Sequence, residues 1–244
     1  FLFGFVCLAP FQQDGFAQAP AIQWQKSYGG SLDDVAYDVA QSADGSFLMF
    51  TGLSQSSDGD LTLNHGDYDY WVVKLDPDGN IIWQKSFGGT SRDFPYSLNI
   101  TPDGGSVIAG YSKSHNGDVT VNKGLMDFWI IKLDGNGNLQ WQKPLGGSTS
   151  DYSYAVTQTN DGGYAVTGYA NSDDGEVTNY HGGQNDHWIA KLDATGNLQW
   201  QKALGSSLND RGGAIIQTAD GSIIEAGDAG AADERRDRHH RERP

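Results

Sequence analysis

Trp141-Gln142-Lys143-Pro144-Leu145-Gly146-Gly147-Ser148-Thr149-Ser150-Asp151 decides how the rest of the chain is read, because it recurs. Residues 83–93 carry the same phrase, and so do residues 24–34. A weaker copy occupies residues 200–210, with Ser206 in place of the second glycine. The tryptophans stand 59, 58 and 59 residues apart. A fixed period of this size marks an array of repeats, each leaning on its neighbours.

Between copies the pattern has period two. Val35, Tyr37 and Val39 alternate with Ala36, Asp38 and Ala40, as in a strand. Asp44-Gly45 then closes a tight turn, and Asp103-Gly104, Asp161-Gly162 and Asp220-Gly221 are its counterparts, each 20 residues after its tryptophan. A second apolar run follows (47–53, 107–111, 164–169), then a long polar loop, then a third strand over 69–76 with copies at 127–134 and 186–193. Pro77-Asp78-Gly79-Asn80 turns the chain into a fourth strand that carries the next tryptophan. Four antiparallel strands per period, with no helical periodicity, predict an all-β fold: a β-propeller of four-stranded blades. Blades are expected at about 34–86, 93–144 and 151–203, with part of a fourth at 210–228. Propellers have about four to eight blades, so these repeats, spanning 22–230, read as an incomplete arc of a ring of about six to eight. The strand of Trp24 is expected to stand without a hydrogen-bonded neighbour. A bulky column (Val35, Tyr37, Val39) against a small one (Ala36, Ala40, Ser97, Ala155) favours close stacking of sheets. Pro95 places the first strand of a blade at an edge.

The Gly-Gly-Ser-x-x-Asp phrase, the Asp-Gly-Gly turn and the following Gly-Tyr-x-x-Ser resemble the β-propeller repeats of secreted bacterial proteins. With the Trp-Gln-Lys opening and the Asp-x-Trp-x-x-Lys-Leu-Asp strand, the chain resembles surface or exported repeat proteins of bacteria with type IX secretion. The resemblance covers residues 22–227 and implies fold and export, to a secreted, cell-surface or periplasmic location; it implies no activity. Residues 191–200 are also similar to the tryptophan-docking motif of quinone-dependent dehydrogenase propellers, one residue short of it. That likeness implies shared mechanics, a tryptophan of the outer strand locking onto the next blade, and no quinone.

The 244 residues hold 16 basic and 31 acidic side chains, a net charge of -15. Five of the seven arginines lie beyond residue 230, so the body is acidic and repels phosphate backbones; nucleic acid is excluded as a partner. Residues 1–9 are almost wholly apolar and Ala17-Gln18-Ala19 is a small-x-small step, so 1–21 reads as a signal-peptide-like segment. The alternative is an N-terminal strand. The run is too short for a transmembrane span. Cys7, the one cysteine, lies within it, which leaves a mature chain without disulfide or thiol chemistry. Residues 231–244 offer little to bury and read as a disordered tail.

Strand parity gathers the long loops (54–68, 112–126, 170–185) and the Gly-Gly-Ser-x-x-Asp loops at one end, where a protein or carbohydrate partner is expected. Asp34, Asp93, Asp151 and Asp210 open the first strands. They either cap the glycine amides or form a ring of ligand-binding carboxylates. Asp58, Asp60, Asn64 and Asp69 are oxygen donors within twelve residues. Asn116, Asp118, Asn122 and Asp127 repeat the set, and Asp174, Glu176, Asn179 and Asp186 repeat it again. They suit calcium or Asx turns and strand caps, although the spacing is not that of an EF-hand. His65 and His181 occupy matching loops with Lys123 between them, as further ligand-binding candidates. No catalytic constellation follows from local spacing. The expected role is therefore a non-enzymatic scaffold without a cofactor, calcium apart. The alternative is part of a propeller hydrolase or lyase whose site draws on other blades. Trp71, Trp129 and Trp188, each 12 residues before Trp83, Trp141 and Trp200, are expected to pack between blades rather than form an open aromatic row.

Overall fold

The computed structural model describes residues 3–8 and 21–230. The rest of the leader-like segment and the whole of the expected tail lie outside the described residues. The described chain is all-β, sixteen strands paired antiparallel. Three four-stranded meanders follow one another: β3(Asp34–Gln41) to β6(Ile81–Phe87), β7(Asp93–Ile100) to β10(Leu139–Leu145), and β11(Asp151–Gln158) to β14(Leu198–Leu204). A two-stranded sheet, β15(Arg211–Gln217) with β16(Ile223–Asp228), comes last. The three meanders span residues 34–87, 93–145 and 151–204. No helix among the described residues is long and apolar enough to cross a membrane.

At the N-terminus, β1(Phe3–Leu8) pairs with β2(Ile22–Tyr28), which carries Trp24. The expectation that this strand lacks a hydrogen-bonded neighbour is thereby corrected. An apolar run of this length suits a strand as well as a leader, and an unpaired row of backbone amides is what such a partner satisfies.

The cores lie between successive sheets, because neighbouring third-strand residues point to opposite faces. Tyr70 and Phe128 face forward, while the next residues, Trp71 and Trp129, face back. Tyr70 thus meets Trp129 at 4.6 Å between ring centroids, and Phe128 meets Trp188 at 4.5 Å. One core joins Met49, Tyr70 and Val72 of the first meander to Leu98, Ile108, Trp129 and Ile131 of the second. The next joins Val107, Phe128 and Ile130 to Val166, Trp188 and Ala190 of the third. Trp71, Trp129 and Trp188 are all 1% exposed or less. Each satisfies its indole through the Gln of the Trp-Gln-Lys phrase: Trp71 Nε1 donates to Gln84 Oε1 (3.2 Å), Trp129 to Gln142 (2.7 Å) and Trp188 to Gln201 (2.7 Å).

The fourth-strand tryptophans lock onto the following sheet. Trp24 Nε1 donates to Pro77 O at 2.9 Å, and Trp83 Nε1 to Gly135 O at 3.1 Å. Their rings cover the glycines of the turns between third and fourth strands. A Cβ at Gly137 would stand 3.0 Å from the Trp83 ring, and one at Gly196 2.8 Å from Trp141. These glycines also have φ of 77° and 83°, which other residues rarely adopt. Trp200, with no such turn after it among the described residues, is 43% exposed.

Strict alternation fails at one place in every first strand. Register shifts between Ala36 and Asp38, between Pro95 and Ser97, and between Ser153 and Ala155 leave Tyr37, Tyr96 and Tyr154 as bulge residues. The expected columns are thereby corrected: Val35 pairs with Leu53 and Val39 with Phe50, three residues apart on the second strand, so the two valines lie on opposite faces, as do Ala36 and Ala40. The second strand has a glycine opposite each bulge, because the backbones converge there. A Cβ at Gly110 would lie 1.9 Å from Phe94 O. Pro95 sits on β7, an edge strand as its missing N–H requires.

Trp129→Ala is expected to cost about 3–5 kcal/mol in denaturant unfolding, as for a large core truncation. Trp200→Ala should stay within about 1 kcal/mol, as at ordinary surface positions. Equal losses would contradict the inter-sheet packing. Gly110→Ala should cost about 1–3 kcal/mol by overpacking, with altered tyrosine near-UV dichroism reporting a displaced bulge.

Candidate binding face at the long-loop end

The loops do meet at one end, held together by carboxylates. Asp93 Oδ2 accepts from Gly89 N (2.8 Å) and Ser114 Oγ (2.8 Å), while its Oδ1 accepts from Ser112 Oγ. Asp34, Asp151 and Asp210 repeat the first bond with Gly30 N, Gly147 N and Ser206 N at 2.7, 2.9 and 2.7 Å. All four are 2% exposed or less. The open ring of ligand-binding carboxylates expected as one reading is not the arrangement found; these acids face into the sheet joints.

The residues considered for calcium serve separate amides. Asp58 Oδ1 accepts from Ser31 N (2.8 Å), Asn116 Oδ1 from Thr90 N (2.9 Å) and Asp174 Oδ1 from Ser148 N (2.6 Å). Asp60, Asp118 and Glu176 accept from Gly29, Gly88 and Gly146 N at 3.0–3.2 Å. Asp69, Asp127 and Asp186 accept from the amides of His65, Lys123 and His181 at 2.6, 2.6 and 2.5 Å. Asn64 bonds Ser54 O and Gly66 N. Among the described residues no three His, Cys, Asp or Glu side chains converge as a metal site requires.

His65 and His181 belong to the same scaffolding. His65 Nδ1 lies 2.8 Å from Asp69 Oδ2, and its Nε2 4.0 Å from Asp118 on the next long loop. Lys123 makes the matching step to Glu176, and His181 Nδ1 lies 2.9 Å from Asp186. One oxygen of each third-strand carboxylate, Asp69 Oδ1, Asp127 Oδ1 and Asp186 Oδ1, is buried without a hydrogen-bond partner. Burial pushes Asp93 and Asp127 up to about 6, with Asp69 adding to the first and Asp151 and Glu176 to the second, and burial raises Asp69 and Asp151 as well.

Beside this end, along the first strands, runs a partly exposed aromatic row that residue spacing alone does not single out. The first strands of successive sheets pack side by side, so their bulges form a row. Tyr37 and Tyr96 rings are 5.1 Å apart, and Tyr96 and Tyr154 5.0 Å. Behind the row, Tyr111 contacts Phe94 (5.2 Å) and Tyr152 (4.5 Å), and Tyr152 contacts Tyr169 (4.9 Å). Tyr68 of the first long loop leans on Phe94 at 5.2 Å, which ties the belt to the loop end. Tyr37 is 42% exposed; Tyr68, Phe94, Tyr96, Tyr152, Tyr154 and Tyr169 are half-buried. Burial raises the Tyr96 phenol to about 12, so it stays neutral at physiological pH. The available signal was Asp-x-x-Tyr at the start of three first strands, Asp34/Tyr37, Asp93/Tyr96 and Asp151/Tyr154. Its meaning depends on the bulge, which residue spacing does not reveal. The fourth first strand has Gly213 at this place, so the row ends there.

No family model matches the chain. It is 26% identical over 222 residues to the regulatory protein FlaEY of Caulobacter vibrioides, a match covering 83% of this chain and 23% of that protein. Among solved structures it is similar to a Synechocystis apocarotenoid oxygenase variant (12% identity, TM-score 0.44, 86% of this chain and 54% of that one). It is also similar to a xylan β-1,4-xylosidase of Bacillus halodurans (14% identity, TM-score 0.41, 82% and 38%). The chain thus spans a quarter to about half of the proteins it resembles.

The joint carboxylates fix how stability responds to pH. Asp93 and Asp127, at about 6, stand above the roughly 3.9 of an exposed aspartate. Their contribution is complete below about pH 4 and is lost as pH rises through 6, because the folded chain holds protons the unfolded chain has released. Asp44 and Asp193, lowered to about 2 chiefly by the backbone amides of Ser46 and Asn197, act oppositely, losing their contribution as pH falls through 2. Melting at pH 5 is therefore expected above that at pH 8. A melting temperature that rises from 5 to 8 would contradict the buried-carboxylate account. Melts in calcium and in chelator should coincide, since a ligand of the folded state alone would raise the transition.

Proposed function

We propose that this chain is part of an exported β-propeller, a ring of blades that binds a protein or glycan partner through its long-loop end and performs no turnover. The observation that carries this reading is the partly exposed tyrosine belt at the end where the variable loops gather. The recurrent acids beside it are engaged in holding loops to sheets, which leaves the aromatic row as the recurrent, partly exposed feature beside that end. The repeated four-stranded meanders and their tryptophan locks support a ring, which further blades would continue in the same manner. The leader-like residues 1–21 and the likeness to type IX-associated repeats support export. FlaEY, to part of which the chain is similar, is a regulatory protein, and such a role accords with binding rather than turnover.

The test is a glycan array and a protein-partner screen run beside a panel of glycosidase and lyase substrates. Binding without turnover is expected. Turnover abolished by Asp118→Asn would overturn the scaffold reading in favour of a hydrolase or lyase. Mass analysis of chain exported by its native host should show cleavage near residues 17–21; retention of Phe3–Leu8 in the exported chain would reject the leader reading.

A further inference from the structure

We propose that the tyrosine belt is a docking face for an arginine-rich segment of a partner protein, the guanidinium groups seating against Tyr37, Tyr96 and Tyr154. The inference rests on the long-loop end being the binding face, and it names the chemistry of the partner.

Three features carry it. The first is the bulge. A bulge on an edge strand re-aims the side chain it frees, and here it does so at equivalent places in three successive sheets. Those three tyrosines form one continuous row, whereas ordinary alternation would place them on separate sheet faces.

The second is the use the chain already makes of the belt. The described residues contain two arginines, Arg92 and Arg211, and both lie over belt-associated rings. The Arg92 guanidinium is 5.8 Å from the Tyr68 ring centroid and that of Arg211 is 5.2 Å from Tyr169. These distances are within the range of a cation–π contact. The two stand at opposite margins of the belt. Between them, Tyr37, Tyr96 and Tyr154 present the same kind of ring and are covered by no cation of the described residues.

The third is charge. The chain carries a net -15, and the belt margin includes Asp33, near the Tyr68 hydroxyl at 3.5 Å, and Asp67, paired with Arg92 at 2.7 Å. Such a field draws in a basic segment and repels an acidic one. The rings also lean on one another edge to face, Tyr96 and Tyr154 at 67°. Their flat faces therefore do not form the open platform a sugar ring stacks on, while a guanidinium needs only one ring face.

The test uses the full chain and a labelled peptide of alternating arginine and glycine, about ten residues long, in about 0.15 M salt, where exposed charges are screened beyond roughly 8 Å. The arginine peptide should bind, and a glutamate-glycine peptide of equal length should not. Tyr37→Leu with Tyr154→Leu should weaken binding about three- to thirtyfold, as expected for loss of cation–π contacts. Tyr37→Phe with Tyr154→Phe should retain it, because the ring face remains. Tyrosine ring resonances of the unmodified chain should shift on titration, a readout that does not depend on the variants folding. Affinity unchanged in the leucine variants, or ring resonances that stay still, would reduce the attraction to net charge and overturn the proposal. If the arginine peptide fails to bind while a glycan or protein partner still binds at this end, the inference falls and the scaffold reading stands. If nothing binds at this end, both fall.

Discussion

A carboxylate buried at each joint between sheets is the constraint on which the loop end depends. Asp93 takes an amide from the incoming Gly-Gly turn, one hydroxyl from the end of the second strand and one from the loop that leaves it. One side chain thereby fixes where a sheet begins relative to the connection before it. Buried backbone amides at such a junction need acceptors, and an ionised acceptor makes the stronger bond. The cost is desolvation of the charge, visible in the raised Asp93 and Asp127. The repeat thus places acids where they hold structure at some expense to stability near neutral pH.

Packing between sheets is the second element. Third-strand tryptophans fill the space between meanders, and fourth-strand tryptophans reach across to the next turn. Each sheet therefore buries its faces only with a neighbour present. Exposed Trp200 and the half-used last sheet show the same dependence from the other side. Stability in such an array is a sum of neighbour interfaces.

The bulges turn this repetitive support into a surface. A first strand has a free edge, and the glycine opposite each bulge lets the backbones converge while the tyrosine swings out of the sheet. Repetition aligns the freed rings into a belt flanked by Arg92 and Arg211. A feature of one strand thereby becomes a feature of the whole face.

By itself the sequence determined the repeat, the four strands of each unit and the gathering of loops at one end. These follow from local signals: a period of tryptophans, Asp-Gly turns and alternating side chains, which short-range geometry translates directly. It also held Asp34 and its counterparts at the glycine turns, leaving open whether they capped or bound. Tertiary structure decided that question, because only the packed joint shows Asp93 enclosed by Gly89, Ser112 and Ser114. It likewise paired β1 with the Trp24 strand and separated the loop acids among different amides. The tyrosine belt was the least legible of all. Tyr37, Tyr96 and Tyr154 look like members of an alternating column, and a one-residue bulge, set by the close approach of a neighbouring strand, is what turns them onto a common edge.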